Sequence, residues 1–186
     1  MIDLRNKGLP ETIEVDGESF LLDTDFRTWI KFGEVIKDRR NSILDCLFVF
    51  KDMTLLEAFH LPDNVFVELL NFYSNPNATP KGNTSHGDVV IDYVLDGEYI
   101  VGSFMSAYGI DLTVCDMHWH LFKALFLSLP DDTKIKQIMQ MRAWHKDSQQ
   151  YDDICKQQKN EWALPTKTKE IDESIVKEIN DEFYNS

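Results

Sequence analysis

The stretch from Ile110 to Arg142, IDLTVCDMHWHLFKALFLSLPDDTKIKQIMQMR, constrains this chain more than any other. It holds two helices, a stop and a restart, and it supplies no recognisable catalytic group. His118, Trp119, Phe122, Leu125, Phe126 and Leu129 recur at the spacing that lines one side of a 3.6-residue helix, which is expected to begin at about Asp116. Asp116, His120 and Lys123 make its only polar stripe, flanked by Leu121 and Leu127. A helix apolar over most of its circumference belongs at the centre of a core or of a large interface. Pro130 ends it. Asp131, Asp132 and Thr133 then offer side-chain acceptors to the free amides of a second helix, carried forward by Ile135, Ile138, Met139 and Met141.

Elsewhere the same rules predict a mainly α chain with a small β-hairpin at its amino end. Thr12 to Val15 and Ser19 to Leu22 favour strands, and Asp16-Gly17-Glu18 between them is a turn whose glycine can take positive φ. Asp23 and Thr24 are candidate caps for a helix whose buried stripe is Phe26, Trp29, Ile30, Gly33 and Ile36, ending in Lys37-Asp38-Arg39-Arg40. Ile43 to Phe50 is an apolar run too short to type by period; strand and helix both fit, and helix is favoured. Pro62 suits the first turn of a helix bearing Val65, Phe66, Leu69, Leu70 and Tyr73. Residues 75–88, rich in proline, glycine, asparagine and threonine, read as a long loop that can divide two lobes. Val89 to Val94 is a candidate strand, and Asp96 is expected to cap a helix over Ile100, Val101, Phe104, Met105 and Tyr108, closed by Gly109.

At 186 residues the chain is one ordinary domain plus a tail: a helical domain over 1–165, then a linker and an amphipathic helix over 166–186. Ile171, Ile175, Ile179 and Phe183, with Val176 beside them, form a narrow apolar stripe on an acidic segment too short to be a stable helix alone. It needs a surface to lie against, either its own domain or another chain. These five residues are the candidate partner-binding positions, by helix-in-groove docking or by self-association into a homo-oligomer.

The net charge of −13 is spread along the chain: 18 acids against 9 bases in residues 1–100, and 14 against 10 in residues 101–186. Such a field repels phosphate backbones and excludes ordinary nucleic-acid binding, which draws its affinity from Lys and Arg displacing counterions; mimicry of DNA is the role it leaves open. Cys46, Cys115 and Cys155 are odd in number and lack paired spacing, as expected of buried free thiols in a reducing cytosol. The opening MIDLRNKGLPET lacks the apolar core of a signal peptide, and no window is apolar enough to span a membrane.

Candidate chemistry is sparse. Cys115, Asp116, His118 and His120 are the one cluster of metal-ligand types, yet residues i and i+2 of a helix point to opposite sides, so the two histidines cannot converge there. Asp116 with His120 is the remaining pair, short of the ligands a metal-assisted hydrolase requires. Asp131 and Asp132 are better explained as helix-start residues than as acid–base groups. No GxSxG elbow and no GxGxxG or GxxxxGK[ST] phosphate loop occurs. No catalytic residue, metal or cofactor is therefore expected. Trp29, Phe66, Phe72, Tyr73, Phe104, Tyr108, Trp119 and Phe122 are either core or partner surface, and helical spacing favours core.

Two blocks carry a resemblance. Tyr108-Gly109-Ile110-Asp111-Leu112, His118-Trp119, Phe122, Ala124-Leu125, Leu129-Pro130-Asp131-Asp132-Thr133, Ile138-Met139 and Arg142 resemble the bacteriophage "gene product fifteen" family. So, in the same order, do Leu9-Pro10, Val15-Asp16-Gly17, Thr24-Asp25-Phe26-Arg27, Trp29 and Phe32. The chain departs from that pattern at His120, where another aromatic is common. The resemblance implies a tail-assembly, chaperone-like protein of a long-tailed phage or prophage, acting in the host cytoplasm on the tape-measure protein and other tail proteins. Its alternative is a structural tail or connector subunit retained in the virion.

Overall fold

Asp16 and Gly17 both carry positive φ, 53° and 86°, as a two-residue type I′ turn demands. They close β1 (Thr12–Val15) onto β2 (Glu18–Leu21) as an antiparallel hairpin in which Ile13 faces Phe20. Ile13 and Val15 point inward and Thr12 and Glu14 outward, the two-residue alternation of a half-buried strand. The computed structural model describes residues 5, 7–38, 41–62, 64–74, 89–144 and 152–165; the expected lobe-dividing loop at 75–88 and the tail stripe from Ile171 to Phe183 lie outside them. Over the described residues the chain is mainly helical, with that hairpin at its amino end.

Helix α1 (Phe26–Val35) starts later than Asp23 and Thr24 suggested. Asp25 is the cap, its carboxylate accepting from the Arg27 amide at 2.9 Å. Asp23 builds the turn before it, accepting from the Asp25 amide at 3.0 Å and the Thr28 hydroxyl at 2.8 Å. The stripe it buries is Phe26, Trp29, Phe32 and Gly33, with Ile30 and Ile36 only half-buried. Ile43–Val49 is a 3₁₀ helix under a Ser42–Asp45 capping box, so the favoured helix forms in the tighter variety. Phe50 then leaves it to bridge Leu22, lying against the hairpin as a strand would.

After α2 (Leu55–Ala58) and α3 (Val65–Ser74), two further expectations shift. Pro62 lies ahead of α3, its carbonyl receiving the Val65 amide at 3.1 Å, because a proline amide position cannot donate and the turn forms around it. Residues 89–94 are not a strand: the Asp92 carboxylate accepts from the amides of Val94 and Leu95 at 2.9 and 3.0 Å, a side-chain-closed turn that competes with extended pairing. Helix α4 (Gly97–Tyr108) follows and ends at Gly109, left-handed at φ 67° as expected. Asp96 precedes α4 but makes no side-chain cap.

Phe122, on α5 (Trp119–Leu127), is the hub of the core. It stacks on Phe26 of α1 at 4.8 Å and on Phe104 of α4 at 5.3 Å between ring centroids. Trp29, Phe32, Phe104, Trp119 and Phe122 are all fully enclosed, so these helically spaced aromatics are core. The starts of α1 and α5 are tied together: the Phe26 amide donates to Met117 at 2.9 Å and the Trp119 amide to Thr24 at 2.8 Å. The α5 helix begins at Trp119, three residues after Asp116, because the His118 imidazole caps it by accepting the His120 amide at 3.0 Å.

Helix α6 (Lys134–Ala143) and helix α7 (Asp152–Glu161) complete the described chain. Thr133 sits at the cap position of α6 without a side-chain cap bond; its hydroxyl donates to the Pro130 carbonyl at 2.7 Å, and Asp131 and Asp132 are exposed. Arg142 is buried at the end of α6. Its guanidinium grips Asp96 with two bonds of 2.5 and 2.9 Å and donates to the carbonyls of Val90 at 3.2 Å and Trp162 at 2.6 Å. One side chain thus holds the entry to α4 and the exit from α7 against α6, which is why Asp96 serves a partner 46 residues away and not its own helix.

Candidate protein-interaction surface

The residues that sequence marked as possible ligands serve the fold. His120, a member of the polar stripe expected on this helix, is only 4% exposed. Its Nε2–H donates to the Phe72 carbonyl at 2.8 Å. Trp119 Nε1 donates to the Tyr73 carbonyl at 3.0 Å, and the Lys123 ammonium reaches the same oxygen. The last carbonyls of a helix have no partner within it, and α3 finds them in the polar stripe of α5. Burial pushes the His120 imidazole down from 6.5 to about 4 and Lys123 down to about 8. Half-buried His118 accepts at Nδ1 and donates from Nε2 to the Pro10 carbonyl at 2.9 Å, and burial lowers its proton affinity too.

Asp116 is exposed and lies before α5, so it does not share a helix face with His120. Among the described residues no three His, Cys, Asp or Glu side chains gather as a metal site. Cys46 is buried, with burial pushing its thiol up to about 11, whereas Cys115 and Cys155 are only half-buried; all three are free. Among the described residues no helix is long and apolar enough to cross a membrane.

What sequence inspection passed over is α2. Leu55, Leu56 and Phe59 are 69%, 73% and 73% exposed, and their spacing puts them on one side of a helical turn. The turn is closed by a capping box: the Thr54 amide and hydroxyl both donate to Glu57 Oε2 at 2.7 Å, and the Glu57 amide returns to the Thr54 hydroxyl at 3.3 Å. These bonds hold the fully exposed Glu57 carboxylate below the usual carboxylate range, keeping it charged. The spacing Thr54-x-x-Glu57 is the sequence signal that marks such a start. Leu127 and Leu121 on α5, at 69% and 40% exposure, show that this helix also turns part of its apolar circumference outward.

Beside α2 opens a cleft of about 410 Å³ between the hairpin and the turn. Phe20, Leu21, Met53 and Leu61 supply its apolar lining, and Glu18, Asp52 and Glu57 stand with Lys51 and His60 around it. Asp52 takes φ 61°, a left-handed conformation uncommon outside glycine. It diverts the chain just after Lys51 has donated its amide to Leu21 at 3.0 Å. The pairing that Phe50 and Lys51 make with the end of the hairpin therefore stops there, and Ser19 of β2 lines the cleft.

No curated protein and no solved structure matches the chain. Its sequence does match a protein family, described as "Bacteriophage Gp15 protein", across residues 5–164. That span takes in the hairpin, all the helices named above and Arg142. The chain belongs to the bacteriophage Gp15 protein family.

Proposed function

We propose that this protein is a tail-assembly factor of a tailed phage, a chaperone-like, non-enzymatic protein that holds the tape-measure protein in the host cytoplasm until tail-tube subunits polymerise around it. Membership of the phage family over residues 5–164 carries the reading. Supporting it is the distribution of chemistry. Buried His120, Asp96 and Arg142 hold helices together, and exposed Leu55, Leu56 and Phe59 are presented on a locally fastened turn. The mechanism is reversible burial: apolar segments of a long helical client are covered by apolar surface here, while a charge of −13 keeps the complexes apart in solution. Weak contacts repeated along the client allow the tube to displace them. The tail stripe of Ile171, Ile175, Val176, Ile179 and Phe183 is a second contact element in this proposal.

Co-expression with the tape-measure protein of the same phage is the test. The client is expected to become more soluble and to co-purify; no change in either would refute the proposal. Mass spectrometry of purified virions separates it from the structural-subunit alternative, since a transient factor is abundant in lysates and absent from particles.

A further inference from the structure

A helix of four residues is far below the length at which helices persist alone. In α2 only Ala58 is buried, and the capping box fixes the turn from within. The outcome is a preorganised apolar ridge, Leu55, Leu56 and Phe59, aimed away from the core. Next to it, past His60, whose Nδ1–H donates to the Leu56 carbonyl at 2.9 Å, lies the cleft with room for a further apolar side chain. Glu57 and His60, neighbours of the ridge residues along the same turn, line the cleft, so the two adjoin, with an acidic rim of Glu18, Asp52 and Glu57 against Lys51.

Charge selects the occupant. A second copy would bring another −13 and set its own Asp52 and Glu57 against the same rim. The tail segment from Ile171 to Phe183 carries Asp172, Glu173, Glu178, Asp181 and Glu182 against Lys177 alone, so the rim repels it as well. A helix with an apolar stripe flanked by lysine or arginine meets both needs, apolar burial and charge complementarity. We infer that the Leu55-Leu56-Phe59 ridge and its adjoining cleft are the docking site for a basic-flanked amphipathic helix of another protein. The inference rests on the client-binding role proposed above and names where the client is held and by what chemistry.

The experiment uses the full-length chain and overlapping peptides covering the tape-measure protein, with binding read by fluorescence anisotropy at low and physiological salt. Peptides that bind should be those with an apolar stripe and Lys/Arg flanks, and their affinity should fall as salt rises. Leu56→Asp/Phe59→Asp should weaken them by about thirtyfold or more, the loss expected when hot-spot side chains are removed, with the thermal midpoint unchanged because both residues are exposed. Glu18→Lys should weaken binding and flatten the salt dependence without touching the ridge. If the wild type holds the client and both variants hold it equally well, the surface assignment falls while the tail-assembly role stands. If the wild type binds no part of the client, both fall. A dimer lost in the ridge variant assigns the surface to a second copy and overturns the inference.

Discussion

Lowering the pH from 7 to 4 should weaken this fold through His120 by an amount fixed in advance. The ring is buried, lies 4.4 Å from the Phe72 ring and donates Nε2–H to the Phe72 carbonyl. As pH falls, the unfolded chain takes up this proton near 6.5, whereas burial delays the folded protein to about 4. Between those values the unfolded state binds more protons, so stability declines with falling pH. At about 1.4 kcal/mol per pH unit the interval amounts to roughly 3 kcal/mol. That stability is present in full above pH 6.5 and gone below about 4. Half-buried His118 acts in the same direction. The assay is urea unfolding from pH 7.5 to 4 of the wild type and of His120→Phe, which keeps a ring against Phe72 and removes the titration. Carboxylates titrate alike in both and cancel in the comparison. The wild type should lose roughly 3 kcal/mol more than the variant over this range. Parallel stability curves would refute the argument and mean that the imidazole accepts its proton equally well folded and unfolded.

Two further changes probe the packing. Arg142→Met leaves the Asp96 carboxylate buried without its guanidinium partner and should cost about 3–5 kcal/mol by thermal unfolding. Adding Asp96→Leu should restore much of that, and a double variant no more stable than the single would argue against the unpaired charge as the cause. Gly33→Ala puts a methyl where the Tyr73 hydroxyl now sits. Because Tyr73 is stacked 5.3 Å from Trp119, the ring cannot swing aside freely, and a loss of about 1–3 kcal/mol is expected. Tyr73→Phe should relieve part of it; an unchanged penalty in chemical denaturation would place the strain elsewhere.

Local pattern carried much of this architecture. Asp16-Gly17 specifies the hairpin turn because few residues accept positive φ, and Gly109 specifies the end of α4 for the same reason. Apolar spacing placed α1, α3, α4, α5 and α6, and Pro130 separated the last two. Cap positions slipped by one to three residues, as at Asp25 and His118, because several neighbouring polar side chains can each close a turn and only the surrounding packing chooses among them. The α2 surface was missed because a four-residue helix has no period to detect, leaving its capping box as the local sign. The family resemblance added the phage setting, and the match over residues 5–164 bears it out.

By itself, then, the sequence determined a mainly helical, strongly acidic domain opened by a hairpin, since periodicity, turn chemistry and charge are properties of neighbours along the chain. Only the tertiary structure decided that His120 and Lys123 finish α3 rather than face water, that Asp96 answers to Arg142, and that Leu55, Leu56 and Phe59 stand outside the core. Each of those outcomes pairs groups distant in sequence or leaves a group unpaired, and a buried donor or charge finds its partner through the packing of whole helices, which no local pattern encodes.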